Sequence, residues 1–191
     1  KQCSFCAITL IRGGVRSRPI AEIVHEAQSL IERGAVEINL VAQDLGSYGR
    51  DRGAQELVPL LRRLLQDQRP FWLRLLYIHP ERVPEGLLSL MADEPRVLPY
   101  FDLPFQHAST PVLREMGRAG TADDYLTLLA VIREQLPDPV IRSTLLVGFE
   151  AESEAAFEEL CRFQENAQLD WLGAFTYSPE EGTPAYRATA T

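Results

Sequence analysis

Short apolar runs alternate with amphipathic stretches along this 191-residue chain, and that alternation limits the possible folds more than any other feature. The runs at 36–42, 71–77, 100–103, 140–147 and 171–177 have the length and the content of strands. The stretches at 19–34, 57–65, 84–91, 111–116, 122–135 and 152–168 have helical spacing of apolar residues. Strands separated by helices pair in parallel, so the sequence predicts an α/β fold.

Polar residues gather just after the predicted strands, at Gln43-Asp44, His79-Pro80, Gln106-His107 and Gly148. A (β/α) barrel collects its functional groups at this rim, whereas a doubly wound sheet collects them mainly near one switch point. We therefore expect a partial (β/α)6-type, TIM-like barrel of parallel strands, with the first strand missing. The sequence has no linker, low-complexity segment or repeat beyond the βα unit, so we expect one domain over residues 1–191. The abrupt ends lead us to expect a fragment of a longer protein.

The charge balance bears on the partners of the chain. Lys and Arg number 19 and Asp and Glu number 27, which gives a net charge of −8. An acidic segment of this kind argues against nucleic-acid binding through the segment itself, because phosphate contacts need Lys and Arg. No apolar run reaches the length of about 18 residues that a membrane helix needs. We expect a cytoplasmic protein with no membrane contact.

Cys3 and Cys6 carry the sharpest chemical signal, because two thiolates at this spacing can bind one metal centre. The residues alone leave three interpretations open, namely an iron–sulfur cluster, a zinc half-site, and structural or redox thiols. A zinc site would need a second pair of ligands, but Cys161 stands alone in a predicted helix. A redox pair would open a helix, whereas residues 7–11 predict a loop or extended chain.

Ordered motifs along the whole chain resemble the methylthiotransferase family of radical S-adenosylmethionine (SAM) enzymes. The motifs are Cys3-Ser4-Phe5-Cys6-Ala7-Ile8, Arg16-Ser17-Arg18-Pro19-Ile20, Val41-Ala42-Gln43-Asp44 with Ser47-Tyr48-Gly49, Leu98-Pro99-Tyr100-Phe101-Asp102, Pro104-Phe105-Gln106-His107-Ala108-Ser109, Arg142-Ser143-Thr144, Val147-Gly148-Phe149 and Phe175-Thr176-Tyr177-Ser178-Pro179-Glu180-Glu181-Gly182. Ala42-Gln43-Asp44 with Ser47-Tyr48-Gly49, and the last motif, are similar to the ribosomal-protein branch rather than the transfer-RNA branch.

Two departures from the family pattern accompany these matches. Glu150-Ala151 stands where the family often has Pro-Gly. The family motif is Cys-x3-Cys-x2-Cys, and its first cysteine would lie two positions before Lys1. We expect that cysteine upstream of this sequence.

The resemblance implies a radical SAM core that adds a methylthio group to the β-carbon of an aspartate in the small-subunit ribosomal protein S-twelve. It implies a 4Fe–4S cluster with three Cys ligands and one open iron, at which SAM is cleaved to a 5′-deoxyadenosyl radical. A second 4Fe–4S cluster is expected in an absent N-terminal domain, and a TRAM-like domain is expected beyond the C-terminus. The implied partners are S-twelve as substrate and an electron donor such as flavodoxin or ferredoxin.

The same resemblance implies roles for individual residues, with Cys3 and Cys6 as ligands of the cluster. The residues expected to bind SAM lie on or after strands, or within the cysteine loop: Phe5, Gln43, Asp44, Gln106, His107, Ser109, Arg142, Ser143 and Gly148. Ordinary structural roles compete with each of these, such as loop anchoring for Phe5 and a hydrogen-bonded structural role for His107. No side chain is assigned as a catalytic acid or base.

Several charged residues outside these motifs predict simple solvated surfaces. The series Glu152, Glu154, Glu158 and Glu159 predicts an exposed helix face. Arg16 and Arg18 flank the cysteine loop and either attract an acidic partner or form a solvated basic spot.

Two alternatives to this function stay open. The first is the transfer-RNA branch of the same family, which modifies an adenosine. The second is a non-catalytic (β/α) scaffold that binds a partner or holds zinc at Cys3 and Cys6.

Overall fold

The computed structural model describes residues 3–189, in which helices and strands alternate as the sequence predicts. The helices are α1 (Ile8–Arg12), α2 (Ile20–Glu32), α3 (Leu57–Leu64), α4 (Leu87–Asp93), α5 (Thr110–Glu115), α6 (Ala122–Gln135), α7 (Glu154–Ala167) and α8 (Pro184–Thr189). The strands are β1 (Glu37–Val41), β2 (Trp72–Leu76), β3 (Tyr100–Asp102), β4 (Val140–Val147) and β5 (Trp171–Thr176). Within residues 3–189, no helix has the length and apolar character needed to cross a bilayer.

Contacts divide the described residues into two compact units. The cysteine unit comprises residues 3–14, 104–130 and 142–189, and therefore carries both Cys3 and Cys6. The second unit comprises residues 15–103 and 131–141. The expectation of one domain flanked by two absent domains stays a prediction.

The second unit is built on the parallel pair β1 and β2. Their register runs from Glu37 opposite Trp72 to Val41 opposite Leu76. Parallel strands need a long crossover connection, and α3 with its flanking turns supplies it here. The C-terminal ends of both strands therefore lie at the same edge of the sheet, and the loop after β1 begins there at residue 42.

Side chains alternate across this pair of strands, which determines where the core of the second unit lies. Ile38 and Leu40 of β1 and Leu73 and Leu75 of β2 are buried on one face. A parallel bridge from Leu73 to Val97 continues the sheet toward β3. The apolar alternation in the sequence thus corresponds to one buried sheet face.

The cysteine unit is built on the parallel pair β4 and β5, registered from Arg142 opposite Trp171 to Val147 opposite Thr176. Gln106 adds a parallel bridge to Leu145.

Three aromatic rings form the centre of the core of the cysteine unit. Phe105 lies 4.7 Å from Tyr125 and 5.3 Å from Phe163 between ring centroids, the second contact edge-to-face. Phe105 and Phe163 are almost completely buried. Such clusters combine a large buried apolar area with favourable ring geometry, so they hold the surrounding segments in place.

Strand β5 differs from the other strands in its exposure. Trp171 is 66% exposed and Phe175 is 60% exposed, and both side chains lie on the same face of the strand. Leu172 on the opposite face is also exposed. Strand β5 therefore presents apolar side chains on both faces.

The predicted α/β class with parallel strands is confirmed. The prediction of a loop or extended chain at residues 7–11 is wrong, because α1 occupies Ile8–Arg12. The carbonyl oxygen of Ala7 accepts from the N–H groups of Leu10 and Ile11 at 2.9 and 3.2 Å, which starts this helix. A single helical turn of this length is too short to show a periodic apolar pattern.

We expect Phe105→Ala to lower the free energy of unfolding by about 3–5 kcal/mol, because it opens a cavity among the three rings. Phe157→Ala is the matched control, since Phe157 is 44% exposed on α7 and a surface change costs about 0.5 kcal/mol or less. Urea denaturation followed by far-UV circular dichroism measures both. Equal losses in the two variants would contradict the assignment of this core.

Candidate functional site

The two cysteines lie in a tight loop at the start of the cysteine unit. The Cys6 N–H donates to the Cys3 carbonyl oxygen at 3.2 Å, which closes a turn between them. Both thiols are free and half-buried. Both residues line one cavity of about 280 Å³, together with Thr9, Leu10 and residues 182–184. The structure therefore places the two predicted metal ligands on the same cavity.

Ser4, between the two cysteines, ties their loop to two helices. Its N–H donates to the Met116 carbonyl oxygen at 2.9 Å and its hydroxyl donates to the Glu115 carbonyl oxygen at 2.6 Å. The Ala185 N–H donates to the Ser4 carbonyl oxygen at 3.0 Å. The last carbonyls of a helix have no partner inside the helix, so the end of α5 is a suitable acceptor for this loop.

Phe5 extends from the loop into an apolar cluster of the cysteine unit. The buried members of the cluster are Val112, Met116, Phe149, Ala156 and Ala185, and half-buried Leu146 and Tyr177 pack beside them with Phe5. This packing is the loop-anchoring role that competes with a cofactor role. A contact of Phe5 with SAM stays a prediction.

Arg118 belongs to the surroundings of Cys3, although no sequence motif singled it out. Its Nη1 lies 3.8 Å from the Cys3 Sγ, within the range of a hydrogen bond to sulfur. Its Nη2 donates to the Pro104 carbonyl oxygen at 2.8 Å. The residue is only 5% exposed. Met116-Gly117-Arg118 reads in the sequence as an ordinary helix end, so no local signal connects Arg118 with a thiol.

His107 is fully buried and both of its ring nitrogens have partners. Its Nδ1 accepts from the Ser109 N–H at 2.9 Å, so the ring proton lies on Nε2. Nε2 then donates to the Glu152 Oε2 at 3.1 Å. The other carboxylate oxygen, Oε1, accepts from the Gly148 N–H at 3.1 Å. His107 and Glu152 thus join the loop after residue 105 to the loop after β4.

The protonation state of His107 follows from its burial. Burial lowers the pKa of His107, and this outweighs the opposing effect of the Glu152 carboxylate, which alone would raise it. A neutral imidazole is also what the acceptor role of Nδ1 requires. His107 therefore connects two loops as a neutral ring, the structural role that competes with direct cofactor binding.

The prediction of a solvated Glu152 is wrong. Its side chain is 10% exposed and is held by His107. The helix begins two residues later than expected, because Ser153 is the N-cap and its hydroxyl accepts from the Ala156 N–H at 3.2 Å. Glu152 thus precedes α7, where the spacing that predicts an exposed helix face does not apply.

Gln106 and Gly148 both adopt left-handed backbone conformations, with φ of +70° and +74°. Glycine reaches this region easily, but it is uncommon for a glutamine. Gln106 is held there by two backbone hydrogen bonds, to the Thr144 carbonyl oxygen at 2.9 Å and from the Leu146 N–H at 2.8 Å. Gly148 directly follows β4, and Gln106 forms an isolated bridge to β4, so both residues lie where the chain bends sharply.

Arg142 and Ser143 were both expected to face a cofactor, but neighbouring residues of a strand point to opposite faces. Ser143 is fully buried and its hydroxyl accepts from the Phe105 N–H at 3.3 Å. Arg142 is half-buried on the other face of β4. Ser109 is buried at the N-cap of α5. Arg142 and Ser143 therefore cannot share one face of β4.

Gln43 and Asp44 lie in the second unit, at the end of β1. Gln43 is exposed. Asp44 accepts from the Gly46 N–H at 3.1 Å, the Ser47 hydroxyl at 2.5 Å and the His79 N–H at 3.2 Å. Its carboxylate also pairs with the Arg82 guanidinium at 2.7 Å. Asp44 thus holds the turn after β1 in place, a role that competes with binding a cofactor.

The two basic residues that follow the cysteine loop in the sequence, Arg16 and Arg18, differ in their surroundings. Arg18 pairs with Glu26 at 2.6 Å and lies 3.9 Å from Glu22, all at the surface. Arg16 is exposed. Surface ion pairs of this kind contribute little to stability, so Arg18 fits the solvated reading.

Cys3 and Cys6 are the predicted metal-ligating side chains of this site. Within residues 3–189, no three His, Cys, Asp or Glu side chains are grouped so that they could hold a metal ion. The thiols of Cys3 and Cys6, together on one cavity, are the soft ligands that iron–sulfur centres use. The donors present therefore fit part of such a centre.

Sequence comparison identifies related proteins. The profile of the radical SAM superfamily matches residues 1–163. A ribosomal protein uS12 methylthiotransferase RimO of Geobacter sulfurreducens is 47% identical over 184 residues, which are 96% of this chain and 41% of that protein. The protein of the same name from Moorella thermoacetica is 49% identical over 185 residues, 96% of this chain and 43% of that one. The chain spans less than half of each relative.

Solved structures show the same fold at low sequence identity. Coproporphyrinogen III oxidase (HemN) from Escherichia coli, a radical SAM enzyme, aligns with a TM-score of 0.68 at 16% identity over 98% of this chain and 44% of that chain. Streptococcus suis SuiB bound to S-adenosylmethionine aligns with a TM-score of 0.65 at 14% identity, covering 96% and 39%. These likenesses confirm the predicted fold class, the parallel α/β arrangement of the barrel type.

The buried neutral His107 makes stability depend on pH. The neutral ring of His107 contributes stability that is fully present above the unfolded pKa of about 6.5. This stability is lost as the pH falls toward the lowered pKa of the folded state, because the unfolded chain binds the proton more readily than the folded one. We expect wild type to lose stability relative to His107→Gln between about pH 7.5 and 5.5. Urea denaturation at several pH values measures this. The exposed His25→Gln serves as control, and an identical effect of both substitutions would refute the assignment.

Proposed function

This chain belongs to the radical SAM superfamily, and we propose that it forms the core of a methylthiotransferase that modifies an aspartate of ribosomal protein uS12. One observation above all supports this proposal: 47% identity to a uS12 methylthiotransferase extends along 96% of the chain. The chain spans less than half of that relative, so the reaction is proposed for the whole protein.

The superfamily implies a 4Fe–4S cluster and SAM as cofactors. Cys3 and Cys6 would hold two irons, and a third cysteine upstream of Lys1 would hold another. Their free thiols on one cavity support this assignment. When bound, the cluster and SAM supply the radical that removes a hydrogen atom from an unactivated carbon, which no side chain can supply alone.

The residues of this chain would hold the cysteine loop and the neighbouring backbone in place and would not themselves react. The hydrogen bonds of Ser4 to α5 and α8 hold the backbone of the cysteine loop. Phe5 anchors the same loop in the apolar cluster. The pair His107 and Glu152 fixes the backbone at Gly148, whose missing side chain leaves room for close approach of a ligand.

Contacts with SAM follow from the family resemblance. We propose that the following residues either contact SAM or hold the loops that do: Phe5, Gln43, Asp44, Gln106, His107, Ser109, Arg142, Ser143 and Gly148. The exposed amide of Gln43 supports this assignment best, because it is accessible. His107, Asp44 and Ser143 are engaged in internal hydrogen bonds, so they would act by holding the loops that carry the contacts.

Partners and architecture belong to the same proposal. The substrate would be uS12, the electron donor a flavodoxin or ferredoxin, and the compartment the cytoplasm. A second 4Fe–4S cluster would lie in an N-terminal domain, and a TRAM-like domain would follow the core. The net charge of −8 supports a protein substrate rather than nucleic-acid binding through this segment.

Two other functions compete with this proposal. Transfer-RNA modification by the other branch of the family would use the same cofactors. A non-catalytic scaffold would hold zinc or no metal at Cys3 and Cys6. The identity to uS12 methylthiotransferases favours the ribosomal-protein reaction over both.

We expect Cys3→Ser and Cys6→Ser each to abolish most iron and sulfide binding by this core in the full-length protein. Cys161→Ser is the matched control, because Cys161 is a free, exposed thiol on α7. Anaerobic reconstitution with iron and sulfide assays and visible absorbance measures the outcome. The second proposed cluster should remain in both loop variants, so each should lose roughly half of the wild-type iron and sulfide. Wild-type iron content in both loop variants, or stoichiometric zinc instead of iron in the wild-type core, would refute the cluster assignment.

We expect a strain lacking the gene to accumulate uS12 without the methylthio group and to regain it with the wild-type gene. The Cys6→Ser gene should fail to restore the group, because the cluster is needed for the radical. Mass spectrometry of uS12 peptides and of digested transfer RNA from the same cells separates the two branches. Loss of the group from transfer RNA alone would show that the substrate is RNA.

A further inference from the structure

The guanidinium of Arg118 lies beside the Cys3 sulfur, a contact to which the proposed function gives no role. Its Nη1 is 3.8 Å from Sγ, while Nη2 donates to the Pro104 carbonyl oxygen at 2.8 Å. The two ends of one planar group thus contact the cysteine loop and the segment that begins at residue 104. A side chain that is 5% exposed and held at one end by a carbonyl has little freedom to turn away.

Local backbone structure fixes where Arg118 begins. Helix α5 ends in a left-handed Gly117 with φ of +70°. The Gly117 N–H donates to the Arg114 carbonyl oxygen at 2.9 Å, and the Arg118 N–H donates to the Leu113 carbonyl oxygen at 2.7 Å. This is the Schellman pattern of a helix end. The adjoining carbonyls of Glu115 and Met116 hold Ser4, so the same helix end positions both the cysteine loop and Arg118.

Charge and burial give this contact its chemical meaning. A buried guanidinium is costly unless its N–H groups meet good acceptors, and a thiolate is a negative acceptor. Hydrogen bonds to cysteine sulfurs and the net charge nearby are among the main determinants of iron–sulfur reduction potentials. A positive donor stabilises the reduced cluster more than the oxidised one, because the reduced cluster carries one more negative charge.

We propose that Arg118 is a positioning residue that donates a hydrogen bond to the Cys3 thiolate and raises the reduction potential of the cluster that Cys3 helps to hold. This inference rests on the proposed function, because it needs a cluster at Cys3. It adds a residue that governs how readily the cluster accepts an electron and how firmly it stays bound.

The test uses the full-length protein, reconstituted anaerobically with iron and sulfide, and its Arg118→Gln and Arg118→Lys variants. An EPR-monitored redox titration gives the midpoint potential of each. We expect Arg118→Gln to shift the potential to more negative values and to lose iron to a chelator about tenfold faster. Arg118→Lys keeps the charge and should lie between wild type and the Gln variant. Arg114→Gln, an exposed change on the same helix, should match wild type.

A measurement on wild type, with Arg118→Lys as its reference, covers the case in which Arg118→Gln does not fold. Protein grown with ¹⁵N-arginine and reduced with dithionite should show a ¹⁵N coupling to the cluster in pulsed EPR. The coupling should disappear in Arg118→Lys. A reduced cluster without such a coupling would overturn the inference.

The remaining outcomes separate this inference from the proposed function. Wild-type protein that takes up no cluster dependent on Cys3 and Cys6, judged against Cys6→Ser, defeats the proposed function, and the inference fails with it. A normal cluster in wild type with an unchanged potential in Arg118→Gln defeats the inference alone. A shift in Arg118→Lys as large as that in Arg118→Gln would show that packing, and not charge, matters at this position.

Discussion

The placement of both thiols depends on the carbonyl oxygens at the end of α5. A helix end leaves its last carbonyls without internal partners, and Ser4 supplies two donors to them while its own carbonyl accepts from α8. The three hydrogen bonds of Ser4 thus hold the backbone of this short loop in one conformation. A half-buried loop could not keep two thiols on one cavity by burial alone, since neither cysteine is fully buried.

Each unit also contains a polar network at the ends of its strands. In the cysteine unit, His107 and Glu152 connect two loops, and the proton position follows from the hydrogen bond that Nδ1 accepts. In the second unit, Asp44 and Arg82 hold the turn after β1. These polar residues therefore stabilise the conformations of the loops, and any role toward a cofactor depends on those conformations.

Periodicity in the sequence identified the strands and the longer helices, because each buries one face and so repeats apolar residues at a fixed spacing. It could not identify α1, which is a single turn of five residues. It also placed Glu152 on a solvated helix face, although Ser153 starts the helix beyond it. The spacing of Cys3 and Cys6 in the sequence predicts a shared metal centre. The contact between Arg118 and Cys3 joins residues far apart in the sequence, so it can be recognised only in the folded structure.

The exposed side chains of β5 have a practical consequence. A strand with exposed aromatic side chains can associate with other chains through its apolar surface and by pairing of its backbone. The exposed rings of Trp171 and Phe175 therefore favour self-association of this segment during purification. Detergent would cover these two rings without changing the protein, whereas replacing them with polar side chains of similar size would remove the exposed apolar surface itself.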